Sequence, residues 1–90
     1  MREIVRSEEI LGGDPRIEGT RVGVVHVVKR YDAGDDPAQI AADYDIDVAD
    51  VYYALAYYHD NPGEMDRIET RRREFVESIR RERPDAAERA

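Results

Sequence analysis

A chain of 90 residues without a cysteine is long enough for one small domain, and it has neither disulfides nor thiolate metal ligands to stabilise that domain. Its net charge of −7, from 21 acidic and 14 basic residues, disfavours a broad nucleic-acid-binding surface. No apolar stretch is long enough to cross a membrane, so we expect a cytoplasmic protein without membrane contacts. Because so short a chain buries only a modest core, we also expect a homodimer.

The basic residues are strongly biased, since Lys29 is the sole lysine beside thirteen arginines. An acid-rich, lysine-poor surface suits a salt-rich cytoplasm, in which screening removes much of the repulsion between carboxylates. The same composition is also compatible with an ordinary acidic protein. We hypothesise a halophilic source, which predicts that the protein loses stability in low-salt buffer.

The first third of the chain is typical of extended structure joined by tight turns. Ile4–Val5 predicts a short strand, and the glycines and proline at 12–15 predict a turn. The segments 16–17 and 21–22 are placed to flank a second turn as a tight β-hairpin. That turn requires Gly19, because glycine adopts a positive φ without strain.

Three helix starts share one pattern, a capping side chain followed three residues later by a polar or acidic one. The pairs are Asp36 and Gln39, Asp47 and Asp50, and Asn61 and Glu64. Pro37 and Pro62 add the preference of proline for the first helical position. These patterns predict helices over 37–44, 48–59 and 62–82. An earlier helix over 24–33 is expected to end at Gly34.

The short turn at 45–47 between two of these helices is typical of a helix-turn-helix. We therefore predict a mainly α fold. It consists of a short N-terminal β-hairpin, a helix-turn-helix-like three-helix core of the homeodomain or winged-helix type, and a long C-terminal helix. A single domain with an extended N-terminal arm is expected over 1–83, followed by a disordered tail over 84–90.

Helical spacing predicts which residues of the second helix of the pair face the core. The expected apolar face is Val48, Val51, Tyr52, Leu55 and Tyr58, and the expected outward face is Ala49, Asp50, Tyr53, Ala54 and Tyr57. The outward set lacks the arginine, lysine, asparagine and glutamine side chains that bind base edges, so DNA binding through this helix is disfavoured. Tyr53 and Tyr57 are instead predicted to anchor a protein interface.

The last helix carries an apolar stripe on one face, interrupted by Arg72. The stripe consists of Met65, Ile68, Phe75 and Ile79. Because this helix is too long to lie wholly on so small a core, we expect the stripe and the N-terminal arm to form the dimer interface. The arginines of the helix are either possible phosphate contacts or members of a salt-bridged solvent face. They are Arg71, Arg72, Arg73, Arg80 and Arg81.

Two segments of the chain carry a resemblance to a known family. They are Gly-Asp-Pro-Arg-Ile-Glu-Gly-Thr-Arg-Val at 13–22 and Ala-Leu-Ala-Tyr-Tyr-His-Asp at 54–60, with Glu-Met-Asp following at 64–66. In this order and at this separation they resemble the family called domain of unknown function 433. The resemblance implies a winged-helix or homeodomain-like fold. Members of the family are often proposed to be antitoxins paired with PIN-like ribonuclease toxins.

The hairpin turn within the first segment admits two interpretations. In the structural one, Gly19 turns the chain, Thr20 hydrogen-bonds the turn, and Arg21 pairs with an acid of the same fold or of its dimer mate. In the functional one, Arg21 offers its planar guanidinium to a carboxylate of a partner. We favour the structural interpretation and include Arg21 among the candidate interface residues.

No residue pattern predicts catalysis, a cofactor, a metal or a small-molecule substrate. His26 and His59 lie in different segments without a second ligand at helical spacing, and no glycine-rich phosphate loop is present. We therefore expect a binding protein and no enzyme. The leading hypothesis is an antitoxin-like module that binds and neutralises a PIN-like ribonuclease toxin. The alternative is a helix-turn-helix transcriptional (auto)regulator that binds DNA through the arginines of the last helix or through Arg2 and Arg6 of the arm.

Overall fold

The computed structural model describes residues 2–82, and the mainly helical fold predicted from the sequence is confirmed. The tail predicted to be disordered over 84–90 lies outside these residues. None of the described helices is both long and apolar enough to cross a membrane. The elements in chain order are strand β1 (Ile4–Val5), a 3-10 turn (Leu11–Gly13), strand β2 (Arg16–Ile17) and helices α1 (Val24–Asp32), α2 (Pro37–Tyr44), α3 (Val48–Asp60) and α4 (Pro62–Glu82).

The four predicted helices are confirmed to within one residue at each end, because their ends are specified by local sequence. Asp36 caps α2 as predicted, with Oδ1 accepting the backbone N–H of Ala38 at 2.8 Å. Asp45 closes the same helix with a left-handed backbone, φ 56° and ψ 48°, and begins the turn into α3. At the start of α3, Asp50 Oδ2 accepts the backbone N–H of Asp47 at 3.0 Å, which is the reciprocal half of the predicted capping box. The side chain of Asp47 itself makes no capping hydrogen bond.

The side chain of Asn61 caps a different helix end from the one predicted. Its Nδ2 donates to the carbonyl oxygen of Tyr57 at 2.9 Å, so it closes α3 instead of opening α4. Glu64, the expected reciprocal partner of Asn61, forms an ion pair with Arg6. Only one residue separates the two helices, so this side chain lies within reach of the last carbonyl groups of α3, which lack a partner inside that helix.

The regular strand partner of β2 is the N-terminal arm. β1 and β2 pair antiparallel, with Ile4 opposite Ile17. The predicted turn after β2 also forms, since the Ile17 N–H donates to the Val22 carbonyl at 2.9 Å and Gly19 has a φ of 77°. The segment 21–22, expected to be the second strand of that hairpin, is not a regular strand. The chain pairs with the second edge of β2 only through an isolated antiparallel bridge between Arg16 and Gly23, just before α1 begins.

The core of the domain centres on α1, whose Val24 and Val27 are fully buried. Helices α2 and α3 both pack against α1, and α4 packs against α3. The other elements contribute Ile17 from β2, Ile40 from α2, Val51 and Ala54 from α3, and Met65 and Ile68 from α4.

The extended N-terminal arm packs on its own chain, and its expected contribution to a dimer interface stays a prediction. The backbone N–H of Arg2 donates to Asp50 Oδ1 at 3.1 Å, and Ile4 packs against the core. The arm is therefore held against β2 and α3 of its own chain.

Candidate functional site

The inward face of α3 differs from the one predicted from apolar spacing. Asp50 and Ala54, predicted to point outward, are buried, whereas Tyr52, predicted to point inward, is 56 % exposed. Ala54 is small, so α3 can pack closely against α1. The Asp50 carboxylate accepts two backbone N–H groups, and these hydrogen bonds compensate for the burial of its charge.

The outward face of α3 therefore carries a different set of side chains. Val48 and Tyr52 are its exposed large apolar residues. Ala49 and Ala56 are the exposed alanines of the same helix. We call this surface the α3 face. Like the predicted face, it has no arginine, lysine, asparagine or glutamine with which to bind base edges. The exposed residues of α3 are Val48, Ala49, Tyr52, Ala56, His59 and Asp60.

The segment that carries the α3 face is rich in carboxylates, although Arg30 pairs with Asp35 and Asp43 and Arg6 pairs with Glu64. From Tyr31 to Asp66 the chain has ten acidic residues and no lysine or arginine. Asp45 and Asp47 are exposed at the turn that leads into α3. Such a surface repels phosphate and attracts cations. The sequence alone shows this asymmetry, because residues 1–61 carry a net charge of −7 and residues 62–90 a net charge of zero.

Tyr53 and Tyr57, predicted to be exposed interface anchors, are both half-buried. The Tyr57 hydroxyl donates to Glu64 Oε1 at 2.5 Å, and Arg6 contacts both groups, with an Nη2–Oε2 distance of 2.5 Å to Glu64. Burial raises the pKa of Tyr57 to about 12, and the neighbouring Glu64 carboxylate adds to this shift. The cluster connects the N-terminal arm to the junction of α3 and α4, so the Tyr57 hydroxyl is engaged within the chain. The assignment of Tyr53 and Tyr57 to an interface stays a prediction.

Arg71 and Arg72, predicted to be possible phosphate contacts, bind a carboxylate of their own chain. The buried Asp14, just before β2, accepts from Arg71 Nη2 at 2.9 Å and from Arg72 Nη2 at 3.4 Å. This carboxylate offsets part of their positive charge and makes them poor phosphate contacts. The other candidate arginines, Arg73, Arg80 and Arg81, are exposed on α4.

The hydrogen bonds of the Gly19 turn support its structural interpretation. Thr20 Oγ1 donates to the Ile17 carbonyl at 2.7 Å, and the buried Arg16 donates from Nη1 to the Thr20 carbonyl at 3.2 Å. Arg21 is exposed, and no ion pair within residues 2–82 includes it. Its assignment to an interface stays a prediction.

The apolar stripe of α4 divides into a buried half and an exposed half. Met65 and Ile68 lie in the chain's own core, so their assignment to a partner interface is wrong. Phe75 and Ile79 are 67 % and 41 % exposed, because α4 continues beyond the surface on which its first turns pack. Val76, which the predicted stripe omitted, is exposed beside them.

The two histidines occupy unrelated positions. His26 Nδ1 accepts the backbone N–H of Gly23 at 2.9 Å at the start of α1, and burial together with the charges of Arg72 and Lys29 lowers the pKa of His26. His59 is exposed at the end of α3. Within the described part of the chain, no three histidine, aspartate or glutamate side chains converge where they could hold a metal ion.

The α2–α3 pair, joined by its tight turn and packed on α1, defines a small domain of the helix-turn-helix type. The chain belongs to the family described as Protein of unknown function (DUF433), whose model matches residues 4–58. The match extends from β1 almost to the end of α3, and α4 follows it. Comparison with curated proteins and with solved structures returned no significant match.

Proposed function

We propose that this chain is an antitoxin-like interaction module that binds and neutralises a PIN-like ribonuclease toxin. The observation that carries the proposal is the composition of the α3 face. In helix-turn-helix proteins that bind DNA, the second helix of the pair lies in the major groove and presents polar side chains to the bases. Here that helix presents Tyr52, Val48 and two alanines. Tyrosine is among the residues that most often anchor protein interfaces.

The charge around the α3 face specifies the kind of protein partner. A ribonuclease binds RNA through basic side chains, because its substrate is a polyanion. The exposed carboxylates of Asp45, Asp47 and Asp60 are available to such a surface, and complementary charge accelerates association and selects the partner. The apolar centre of the face supplies affinity once the surfaces meet. An antitoxin bound in this way would exclude RNA from the toxin.

DNA binding for autoregulation is the alternative function, and it would need a surface other than the α3 face. The exposed Arg73, Arg80 and Arg81 of α4 are the candidate arginines that Asp14 does not engage. Three exposed arginines favour a weak, salt-sensitive interaction with phosphates and no base specificity. This alternative is compatible with the first proposal if the toxin contributes further contacts to DNA.

The proposed role places the protein in the cytoplasm, where a ribonuclease toxin meets its RNA substrate, and it treats the active species as a homodimer. The excess of carboxylates and the single lysine, Lys29, are the grounds on which we also propose a halophilic source.

Affinity purification from the native host tests the proposal. The tagged wild-type chain is compared with Tyr52→Glu, which places a charge at the centre of the α3 face. Tyr31→Glu is the matched control, because Tyr31 is also an exposed tyrosine but lies on α1. A basic ribonuclease should co-purify with the wild type and with Tyr31→Glu and should be lost with Tyr52→Glu. Recovery of no ribonuclease, or its full retention by Tyr52→Glu, would contradict the proposal.

A mobility-shift assay on DNA upstream of the chain's own gene tests the alternative. Low salt is used, because it favours any contact with phosphate. A shift that disappears when Arg73, Arg80 and Arg81 are all replaced by glutamine would support DNA binding through α4. The absence of a shift at the lowest salt would reject it.

A further inference from the structure

The distal half of α4 projects beyond the core that its first half helps to form. Met65 and Ile68 are buried, whereas Phe75, Val76 and Ile79 are exposed. Helical spacing puts Phe75 and Ile79 on the same side of the helix as Met65 and Ile68. The apolar side of the distal half is therefore the continuation of the side that packs on the core, and within residues 2–82 it remains largely exposed.

The residues along this side have a spacing with two-fold symmetry. The distal seam consists of Arg72, Phe75, Ile79 and Glu82, separated by steps of three, four and three residues. Alternating steps of three and four define the seam along which paired helices pack. Glu77 is the midpoint of this spacing. If a second helix runs antiparallel with its Glu77 at the same level, its position 79 lies level with position 75 and its position 82 lies level with position 72.

We propose that the distal seam pairs antiparallel with the distal seam of a second copy of this chain. In this register Phe75 packs against the partner's Ile79. Arg72, whose Nη2 lies 3.4 Å from Asp14 of its own chain and whose side chain is 40 % exposed, lies opposite the partner's Glu82. Two-fold symmetry repeats both contacts. Each apolar side chain thus meets an apolar side chain, and each arginine meets a carboxylate. A parallel pairing would place Arg72 against the partner's Arg72 and Glu82 against the partner's Glu82, which like-charge repulsion disfavours.

The surface on either side of Arg72 leaves room for the end of a second helix. One groove beside α4 is lined by Leu11 of the 3-10 turn. The other has a volume of about 440 Å³ and is lined by Val25 and Val28 of α1. In the antiparallel register the partner's last helical turn lies alongside Arg72, between these grooves. The contact thereby extends from the seam onto the core of the neighbouring copy, which a short seam requires for a stable interface.

This pairing deepens the homodimer of the proposed function and does not depend on the identity of the toxin. It uses the distal seam of α4, whereas the toxin is assigned to the α3 face. Failure of one assignment therefore leaves the other intact, and separate variants test them.

Sedimentation velocity over the micromolar range tests the pairing. The wild type and Tyr52→Glu should both dimerise. Phe75→Ser combined with Ile79→Ser should weaken dimerisation at least tenfold and leave the circular-dichroism spectrum unchanged, because both side chains are exposed in the single chain. A wild type that stays monomeric throughout this range, or a folded double variant that dimerises as tightly as the wild type, would overturn the proposal.

Engineered cysteines test the register, because the chain has none of its own. A mixture of Arg72→Cys and Glu82→Cys chains should form an intermolecular disulfide between positions 72 and 82 under mild oxidation. Each variant alone should cross-link slowly, because like positions lie about 15 Å apart along antiparallel helices. Rapid cross-linking of Glu82→Cys chains with each other, without a mixed disulfide, would contradict the antiparallel register.

Discussion

The buried carboxylate of Asp50 accepts the backbone N–H of Arg2 at 3.1 Å, a contact between residues 48 positions apart. The other oxygen of the same carboxylate caps α3 through the N–H of Asp47. One side chain therefore fixes both the start of the helix that carries the α3 face and the position of the N-terminal arm. The exposure of Tyr52 depends on this arrangement, because it holds the inward side of α3 against the core.

Replacement of Asp50 by alanine should destabilise the fold by about 2 kcal/mol or more, since the backbone N–H groups of Arg2 and Asp47 both lose their acceptor and the second of these hydrogen bonds caps α3. Urea denaturation of the variant and the wild type measures the difference. Asp60→Ala is the matched control, because Asp60 is exposed at the other end of α3, and it should change stability by less than about 0.5 kcal/mol. An Asp50→Ala protein as stable as the wild type would show that this carboxylate does not organise the domain.

Replacement of Gly19 by valine should cost on the order of 1 kcal/mol or more, because a β-branched residue is strained at a φ of 77°. Apart from Gly19 and its two chain neighbours, no residue has an atom within 4 Å of the position that a Cβ would occupy, so the cost comes from the backbone conformation and not from a clash with the rest of the fold. Thermal melting measures it. Gly19→Asn should lose less, since asparagine tolerates the left-handed region better. Equal melting temperatures for the valine variant and the wild type would rule out a requirement for this backbone conformation.

The helix boundaries were predictable from sequence because caps such as Asp36 act within a few residues. The face of α3 was not, because its apolar residues include Tyr52, which is exposed, while Asp50 is buried. Asp50 can be buried because the backbone N–H of Arg2, 48 residues away in the chain, donates to its carboxylate. Helical periodicity contains no information about such a distant donor. Apolar spacing identifies a helix reliably, but it assigns an inward face only when polar residues lack such distant partners.

The arginines of α4 illustrate the same limit. Their alternation with glutamates is typical of pairing within a helix, yet Arg71 binds Asp14, which lies 57 residues earlier in the chain. The division of the α4 stripe into a buried half and an exposed half was only partly predictable. Its length indicated that some of it had to project beyond a small core, but the point at which Ile68 is buried and Phe75 is exposed depends on how α4 packs against the other elements.

The stability of the domain should fall as the pH is lowered below about 6.5, in part because of His26. Burial, aided by the charges of Arg72 and Lys29 and opposed by Asp14, holds the pKa of His26 below its ordinary value of 6.5. The unfolded chain therefore binds this proton more readily than the folded one, so protonation favours unfolding. The contribution of His26 is complete above pH 6.5 and is lost as the pH falls through the folded-state pKa.

Urea denaturation at a series of pH values measures this contribution. His26→Gln should lose less stability between pH 7 and pH 5 than the wild type. This range is chosen because it includes 6.5, the ordinary pKa of histidine, and values below it. His59→Gln serves as the control, since His59 is exposed, and it should follow the wild-type profile. If the His26 and His59 variants have the same pH profile as the wild type, His26 is not a proton-linked group.

Added sodium chloride should stabilise the fold, because the net charge is −7 and the segment 31–66 contains carboxylates without a lysine or arginine. We expect a gain of about 1 kcal/mol between low salt and molar salt, equivalent to roughly 4–8 °C in Tm for a domain of this size. Replacement of the exposed Asp32 and Asp60 by asparagine should reduce this dependence. A Tm that is independent of salt would contradict both this account and the proposed halophilic source.

The measurement that tests the central claim most directly is a titration of the co-purified ribonuclease with the purified chain, followed through RNA cleavage. The wild type and Tyr31→Glu should abolish cleavage at a fixed stoichiometry. Tyr52→Glu should require at least a tenfold higher concentration, as expected when a hot-spot side chain worth about 2 kcal/mol or more is lost. Cleavage that is unaffected by the wild-type chain, or inhibition by Tyr52→Glu that equals the wild type, would contradict a toxin-binding role for the α3 face.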